Sequence, residues 1–440
     1  MRSPRPRRGV AFGLASALVA SMGVAACGSS SSGGAPTLTW YINPDGGGAD
    51  PTKGGQAQIA KTCTNASGGK YKISIQQLPN SASDQRTQLL RRLAAGDSSM
   101  DLMSIDPVFV AEFAEAGYLA PVPAAMEQDF TADRVQSAID ASKWKGKLVA
   151  VPFWANTQLL WYRKSVAQKA GLDMSKPVTW EQIIGAAKKT NTKIGVQGKL
   201  YEGYTVWISA LISGAGGKIV SNPGANYENL KLGVDSQAGK DAAKIINQVA
   251  TSGVGGPAVG SADETAALNL FQSNSTSGFL VNWPYVYAAL SGTTPKIPWL
   301  KDVAATEYPQ TVAGKTSAPP FGGIELAVGK SSKNPALAYD AIKCITSTKN
   351  QAMYMVKTGN PASSKSVFDD PEVKKAFPNG IADVIRTSLQ HAVPRPQSQY
   401  YGDISTGLQQ KFSPPGSVNQ STPGQAQSFI LNVLKGKSLL

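Results

Sequence analysis

Apolar positions along this chain alternate between two spacings, and the order in which they do so predicts a layered α/β protein. Thr37 to Ile42 (TLTWYI) reads as a buried strand, and a polar stretch from Asn43 to Gly48 separates it from a helix that includes Gln58 to Cys63. Tyr71 to Leu78 (YKISIQQL) has β-branched alternation and is the second strand. Ser83 is placed to cap the next helix, which carries Leu89, Leu90 and Leu93 and stops at Gly96. Leu102 to Ile105 is a third strand. Asp106-Pro107 then opens an amphipathic run with Val110, Phe113, Ala114 and Leu119, proline being favoured at the first helical position. A βαβα order of this kind implies a parallel sheet covered by helices.

Further on, Lys147 to Pro152 and Leu159 to Tyr162 read as strands on either side of Phe153 to Thr157, where the chain is expected to pass into a second lobe. Thr179-Trp180-Glu181-Gln182 has the spacing of a capping box. Gly203 to Ile212 and Thr265 to Phe271 read as helices, and Gly278 to Asn282 as a strand leading into Trp283-Pro284-Tyr285. Around Pro319 to Gly323 the pattern changes again. The strand Ile324 to Val328 and the helix Pro335 to Thr346 return the chain to the first lobe, Gly359-Asn360-Pro361 marks a third crossing, and Ile381 to Gln390 is one of the C-terminal helices. The implied partition is 36–155 and 322–357 for lobe one, 156–321 and 358–440 for lobe two. A length of 440 residues agrees with two lobes, since single cores stop growing near 250–300 residues.

The N-terminus stands apart from this pattern. Arg2, Arg5, Arg7 and Arg8 precede an apolar run from Gly9 to Ala26, and Val24-Ala25-Ala26 leads into Cys27. A basic start, a short apolar run and small residues before a cut make residues 1–26 an export signal. Residues 27–35, including GSSSSGGA, form a flexible tether. Four arginines leave with the signal, which lowers the formal charge of +14, and the remaining basic residues are dispersed. No run of five or more Lys/Arg occurs, so nucleic acid is not an expected partner. One histidine and three cysteines exclude Cys/His zinc clusters and make soft-ligand metal chemistry improbable. Cys63 and Cys344 remain in the mature chain, where an exported compartment permits a disulfide; two buried free thiols are the alternative. The glycine cluster Gly214 to Gly217 has neither dinucleotide-binding nor P-loop spacing, and no cofactor is expected.

The aromatic residues Trp154, Trp161, Trp283, Tyr285, Tyr287, Tyr400 and Tyr401 fall near segment ends rather than at helical spacing. Some of them are expected to face a cleft, where an aromatic ring suits the C–H face of a pyranose; Trp161, inside LLWY, is read as core. Sugar hydroxyls need donors and acceptors in fixed directions. Asp106, Asn156, Glu264 and Arg395 can supply them, and Glu202 and Tyr204 are weaker candidates. Asp106 is also a natural helix cap, a role compatible with ligand contact because ligands of open α/β sheets bind outside the carboxyl ends of the strands. Arg395 is fixed between Pro394 and Pro396, a poor setting for a merely solvated charge.

Several stretches together carry a resemblance: Val24 to Cys27, Leu78 to Leu119, ANTQLLWYR from Ala155, VNWPYVYA from Val281, GGIELAV from Gly322, and Arg395-Pro396. The chain resembles a family-one extracellular solute-binding lipoprotein of an ABC sugar importer, and within that family the trehalose-binding lipoproteins of actinobacterial trehalose-recycling importers. The resemblance spans nearly the whole mature chain and implies a two-lobed, maltose-binding-like Venus flytrap with several hinge crossings. It also implies a disaccharide in the interlobe cleft and an exported monomer anchored through Cys27 to the outer face of the cytoplasmic membrane. Delivery would be to permease subunits driven by a cytoplasmic ATPase. By motif match, Asp106, Asn156, Glu264, Trp283, Tyr285, the backbone at Gly323 and Arg395 are sugar contacts, with Asn43 and Gln77 as further ones. The wider maltose-binding group brings Glu202-Gly203-Tyr204 toward the same site. Rival readings are a binding protein for a non-sugar solute and a secreted glycoside hydrolase, for which Asp106 and Glu264 are the only nominable carboxylate pair.

Overall fold

The computed structural model describes residues 34–44 and 48–440. Residues 1–26, Cys27 and nearly all of the tether lie outside the described residues, so the export and lipidation expectations are not addressed by the fold. Ala35 to Leu440 forms one unit by its contacts and is organised around two sheets.

The first sheet is built as the alternating pattern requires. Thr37–Ile42 lies between Lys72–Gln77 and Leu102–Ile105, parallel to both, with Ile42 opposite Gln77 and Trp40 opposite Leu102. The helices Gln56–Ala66 and Ala82–Ala94 make the crossovers. Alternate side chains enter different cores: Leu38, Trp40 and Ile42 pack on one face, while Tyr41, Met103 and Ile105 pack on the other. Pro320–Ala327 then joins antiparallel to Leu102–Ile105, with Glu325 opposite Ile105, and antiparallel to Val151–Thr157 on its other edge. Because Asn43, Gln77 and Asp106 each follow or end one of three parallel strands, all three sit at the same carboxyl edge of this sheet.

The second sheet orders Val303–Thr306, Leu159–Arg163, Phe279–Asn282 and Ile194–Gly195. Its core holds Trp180, Trp207, Tyr204 and Tyr308, with the Trp180 and Trp207 ring centroids 5.7 Å apart. Trp180 begins a helix that opens with the expected capping box: Gln182 N donates to Thr179 Oγ1 at 3.1 Å, and Thr179 N donates to Gln182 Oε1 at 2.8 Å. Trp161 is fully buried and its Nε1 donates to the Asn282 carbonyl, in keeping with a core residue.

Three local expectations are corrected. Ser81, not Ser83, caps the Ala82–Ala94 helix, accepting from Asp84 N, because the helix begins directly after Pro79-Asn80, two residues earlier than the leucine spacing suggests. Lys147–Leu148 belongs to a small hairpin with Lys143–Trp144, turned by Lys145 and Gly146 in the left-handed region, so the expected strand from Lys147 is split. Phe153 to Thr157 is strand rather than connection, since Val151–Thr157 pairs along Pro320–Ala327 and every residue in it is buried. Only Gln158 separates that strand from Leu159–Arg163 of the second sheet. The chain returns between Thr306 and Pro320 and passes again near Pro361, whose carbonyl accepts from Ala155 N. It touches the first sheet a last time at Val393–Pro394, paired with Pro320 and Phe321. Cys63 and Cys344 form the expected disulfide, joining the Gln56–Ala66 helix to the Pro335–Ile345 helix.

Candidate functional site

One edge of the Pro320–Ala327 strand explains how distant residues meet. Val393–Pro394 pairs with Pro320 and Phe321, and Leu102–Ile105 pairs with Glu325 to Ala327, so Gly322, Gly323 and Ile324 carry no ladder on that edge. Arg395 follows Pro394 and Asp106 follows Ile105, so the two residues leave their strands on either side of this gap. Asp106 caps the Pro107–Glu115 helix, its Oδ1 accepting from Val108 N at 3.2 Å. Arg395 Nη2 donates to both Asp106 oxygens, at 2.9 and 3.2 Å.

The other arm of the same guanidinium reaches the second lobe. Arg395 Nη1 donates to Glu202 Oε1, at the start of the Glu202–Gly214 helix. The arginine side chain is only 3% exposed, with Asp106 at 18% and Glu202 at 11%. Removing a charge from water costs several kcal/mol, more than one exposed ion pair returns, so a guanidinium this deep requires carboxylates on both arms. Burial acts to lower the Arg395 pKa, but Asp106, Tyr401 and Glu202 outweigh it and hold the group well above its usual value. Glu202 is pushed up by burial, against the opposing pull of Arg395 and of hydrogen bonds from Tyr401 and Ser405. The Tyr401 ring packs edge-on against Phe109 of the first lobe, with centroids 5.8 Å apart.

A second group forms around Glu264, the first residue of the Glu264–Gln272 helix, which Asp263 caps through Ala266 N at 3.0 Å. The Glu264 carboxylate accepts from Tyr201 Oη, and burial pushes its pKa up against the opposing pull of Tyr201 and the nearby Trp283 side chain. Tyr285 Oη donates to the Glu264 carbonyl at 3.4 Å. Trp283 is half-buried and lies against the first-lobe backbone: a Cβ on Gly322 would stand 3.1 Å from its ring carbons. Asn156 is opposite Gly322 in the ladder and buried; its Oδ1 accepts from Thr157 N, and its Nδ2 forms no hydrogen bond among the described residues. Gly323 has φ +117°, a conformation that side chains rarely adopt, and a Cβ there would meet the Trp154 carbonyl.

Of the residues singled out in the sequence, Asp106, Glu202 and Arg395 therefore form one cluster. Glu264, Trp283 and Tyr285 form another, and Asn156, Gly322 and Gly323 lie between. Asn43 shares the sheet edge with Asp106 but is fully buried, accepting from Gln56 Nε2 at 2.6 Å; Gln77 is exposed at the end of its strand. Tyr204 is not brought to the cluster. Three residues after Tyr201, it faces the second-lobe core, where it is fully buried and donates to the Phe412 carbonyl at 2.6 Å. The residue that sequence reasoning missed is Tyr201. Its signal was the glycine two positions later, because a Cβ on Gly203 would occupy the space of the Tyr201 hydroxyl as that group folds back toward Glu264. Two surface cavities, one along Asp84 to Asp97 and one around Arg134 and Arg386, contain none of these residues.

The sequence pattern of the bacterial extracellular solute-binding proteins matches residues 48–352. A probable ABC transporter-binding protein of Deinococcus radiodurans is 28% identical over 418 residues, covering 89% of this chain and 93% of the relative. The diacetylchitobiose binding protein of Streptomyces coelicolor is 23% identical over 406 residues, covering 91% of this chain and 86% of that one. Among solved structures, maltose-bound MalE3 of T. maritima superposes with a TM-score of 0.76 at 22% identity, over 91% of this chain and all of that one. The acarbose receptor GacH of Streptomyces glaucescens gives 0.74 at 20% identity, over 92% of this chain and 98% of that one. The two-lobed maltose-binding-like fold expected from the sequence is thereby shown.

Proposed function

We propose, for a chain that belongs to the bacterial extracellular solute-binding protein family, that it captures a disaccharide, trehalose or a related glucoside, between its lobes and delivers it to an ABC permease. The observation that carries the reading is the meeting of Asp106 and Arg395 with Glu202 from the facing lobe, beside a half-buried Trp283 seated on the Gly322 backbone. Carboxylate, guanidinium and the Asn156 Nδ2 group would direct hydroxyls, and Trp283 and Tyr285 would cover the apolar faces of the sugar rings. Asp106, Asn156, Glu264, Trp283, Tyr285, the Gly323 backbone and Arg395 are the proposed contacts, with Asn43 and Gln77 at the rim of the same sheet edge.

Maltose, acarbose and diacetylchitobiose, named for the proteins compared above, are all oligosaccharides or oligosaccharide analogues, which supports the substrate class. An anionic solute is the poorer alternative: Arg395 is the cation that would hold it, and two carboxylates already flank that arginine. Capture without bond cleavage accords with Asp106 and Glu264 both being committed to fixed protein donors. The N-terminal segment completes the proposal, with residues 1–26 removed, Cys27 acylated, and a monomer held at the outer face of the membrane while a partner ATPase supplies the energy. Calorimetry of the mature protein against trehalose, maltose, mannitol and glycerol 3-phosphate tests it. Saturable binding of a disaccharide is expected; binding confined to the phosphate ester would overturn the reading.

A further inference from the structure

The carboxylate of Glu202 is almost completely committed within the protein. Oε1 accepts from Arg395 Nη1 and from Tyr401 Oη, and Oε2 accepts from Ser405 Oγ at 2.7 Å. Ser405 is fixed in turn by Gln409 Nε2 at 2.9 Å and by the Thr205 hydroxyl at 2.8 Å, both buried. This network ties the first turn of the Glu202–Gly214 helix to the Tyr401–Phe412 helix. A carboxylate has about four acceptor positions, and three are in use on a side chain that is 11% exposed. Arg395, by contrast, retains a buried Nε with no partner among the described residues, so its orientation depends on what its two Nη groups hold.

We propose that Glu202 is a positioning residue and not a ligand contact: it clamps one arm of Arg395, and so aims the other arm at Asp106 and the cleft. The inference rests on the binding function proposed above and assigns Glu202 a role inside it. With its guanidinium fixed on one side, Arg395 enters the site as a preorganised donor. Without that clamp, the side chain must lose its rotational freedom each time ligand binds, and affinity falls.

A double-mutant cycle distinguishes positioning from direct contact. Trehalose and maltose affinities are measured by calorimetry for the wild type, Glu202→Gln, Arg395→Gln and the double variant. Glu202→Gln is expected to weaken binding about tenfold or more, as loss of a charge-assisted hydrogen bond does. In the Arg395→Gln background the same change should alter affinity by less than about threefold, because its only route to the ligand is gone. Equal losses in both backgrounds, or no loss in the first, overturn the proposal. Should Glu202→Gln not fold, Ser405→Ala removes one donor to the carboxylate and is read in the same cycle, with a smaller loss that again vanishes beside Arg395→Gln. A ligand-free readout separates this proposal from the functional one. If the wild type binds neither sugar, the disaccharide reading fails, while the Arg395 Nε–H resonance still reports the clamp. Slow guanidinium rotation in the wild type and faster rotation in Glu202→Gln are expected, and identical rotation overturns the positioning role.

Discussion

Glu325 is fully buried in the Pro320–Ala327 strand, with Oε2 accepting from Ser142 Oγ and Oε1 without a partner among the described residues. Burial pushes its pKa up to about 8, Ser142 opposing the rise, Asp106 adding to it and Arg134 opposing it. An acid raised in this way takes up its proton more readily when folded than when unfolded. Its contribution to stability is therefore complete below the ordinary carboxyl range near pH 4.5 and is lost as pH climbs through about 8. The lost contribution is on the order of 5 kcal/mol at most. Urea titrations between pH 5 and 9 should show wild-type stability declining across this window and Glu325→Gln flattening the decline; parallel curves would show that Glu325 does not carry it. Nothing in the sequence pointed to Glu325, which reads there as one polar residue within GGIELAV. Asp106 and Arg395 were legible because proline and a strand end restrict both locally. Tyr204 was misplaced because spacing along a helix does not say which face meets the core.

At the scale of elements, the first turn of the Glu202–Gly214 helix organises the second-lobe side of the site. Tyr201 precedes it and reaches Glu264, while Glu202 reaches Arg395. Tyr201→Phe removes the side-chain hydroxyl that donates to a buried carboxylate. A buried acceptor that loses its donor costs about 1–3 kcal/mol. The variant should therefore lose stability of that order and bind disaccharide about five- to tenfold more weakly, as followed by denaturation and calorimetry. Unchanged affinity would separate Tyr201 from the site. Elements with strong local signals, such as the capping box at Thr179 and the TLTWYI strand, were legible in the sequence. The backbone conformation at the first crossing was not. Phe153 to Thr157 forms strand because it pairs with Pro320–Ala327, more than 160 residues away, a partnership that no local pattern encodes.

Over the whole molecule, two devices act at opposite ends of the first lobe. Gln56 begins its helix beside Asn43 at the carboxyl edge of the sheet. Cys63, seven residues on, is about 10 Å further along the helix and away from that edge. Its bond to Cys344 closes a loop of 281 residues, and in the chain-entropy model such a closure contributes about 5 kcal/mol. Replacing both cysteines with alanine should lower the melting temperature while leaving sugar affinity within about twofold, since the bridge does not touch the cleft. At the other end, Arg395 joins Asp106 of one lobe to Glu202 of the other. A ligand can shift the lobes toward closure only by binding the closed arrangement better than the open one, and it does so only if it touches both sides. The proposed contacts meet that condition, with Asp106 and Gly323 on the first lobe and Glu264 and Trp283 on the second. Small-angle scattering on the mature protein should therefore show the radius of gyration falling, on addition of the bound disaccharide, toward the roughly 22 Å of a compact chain of this length. A radius that stays constant while calorimetry reports saturation would mean that the lobes are already locked by the Arg395 bridge and that ligand enters without moving them.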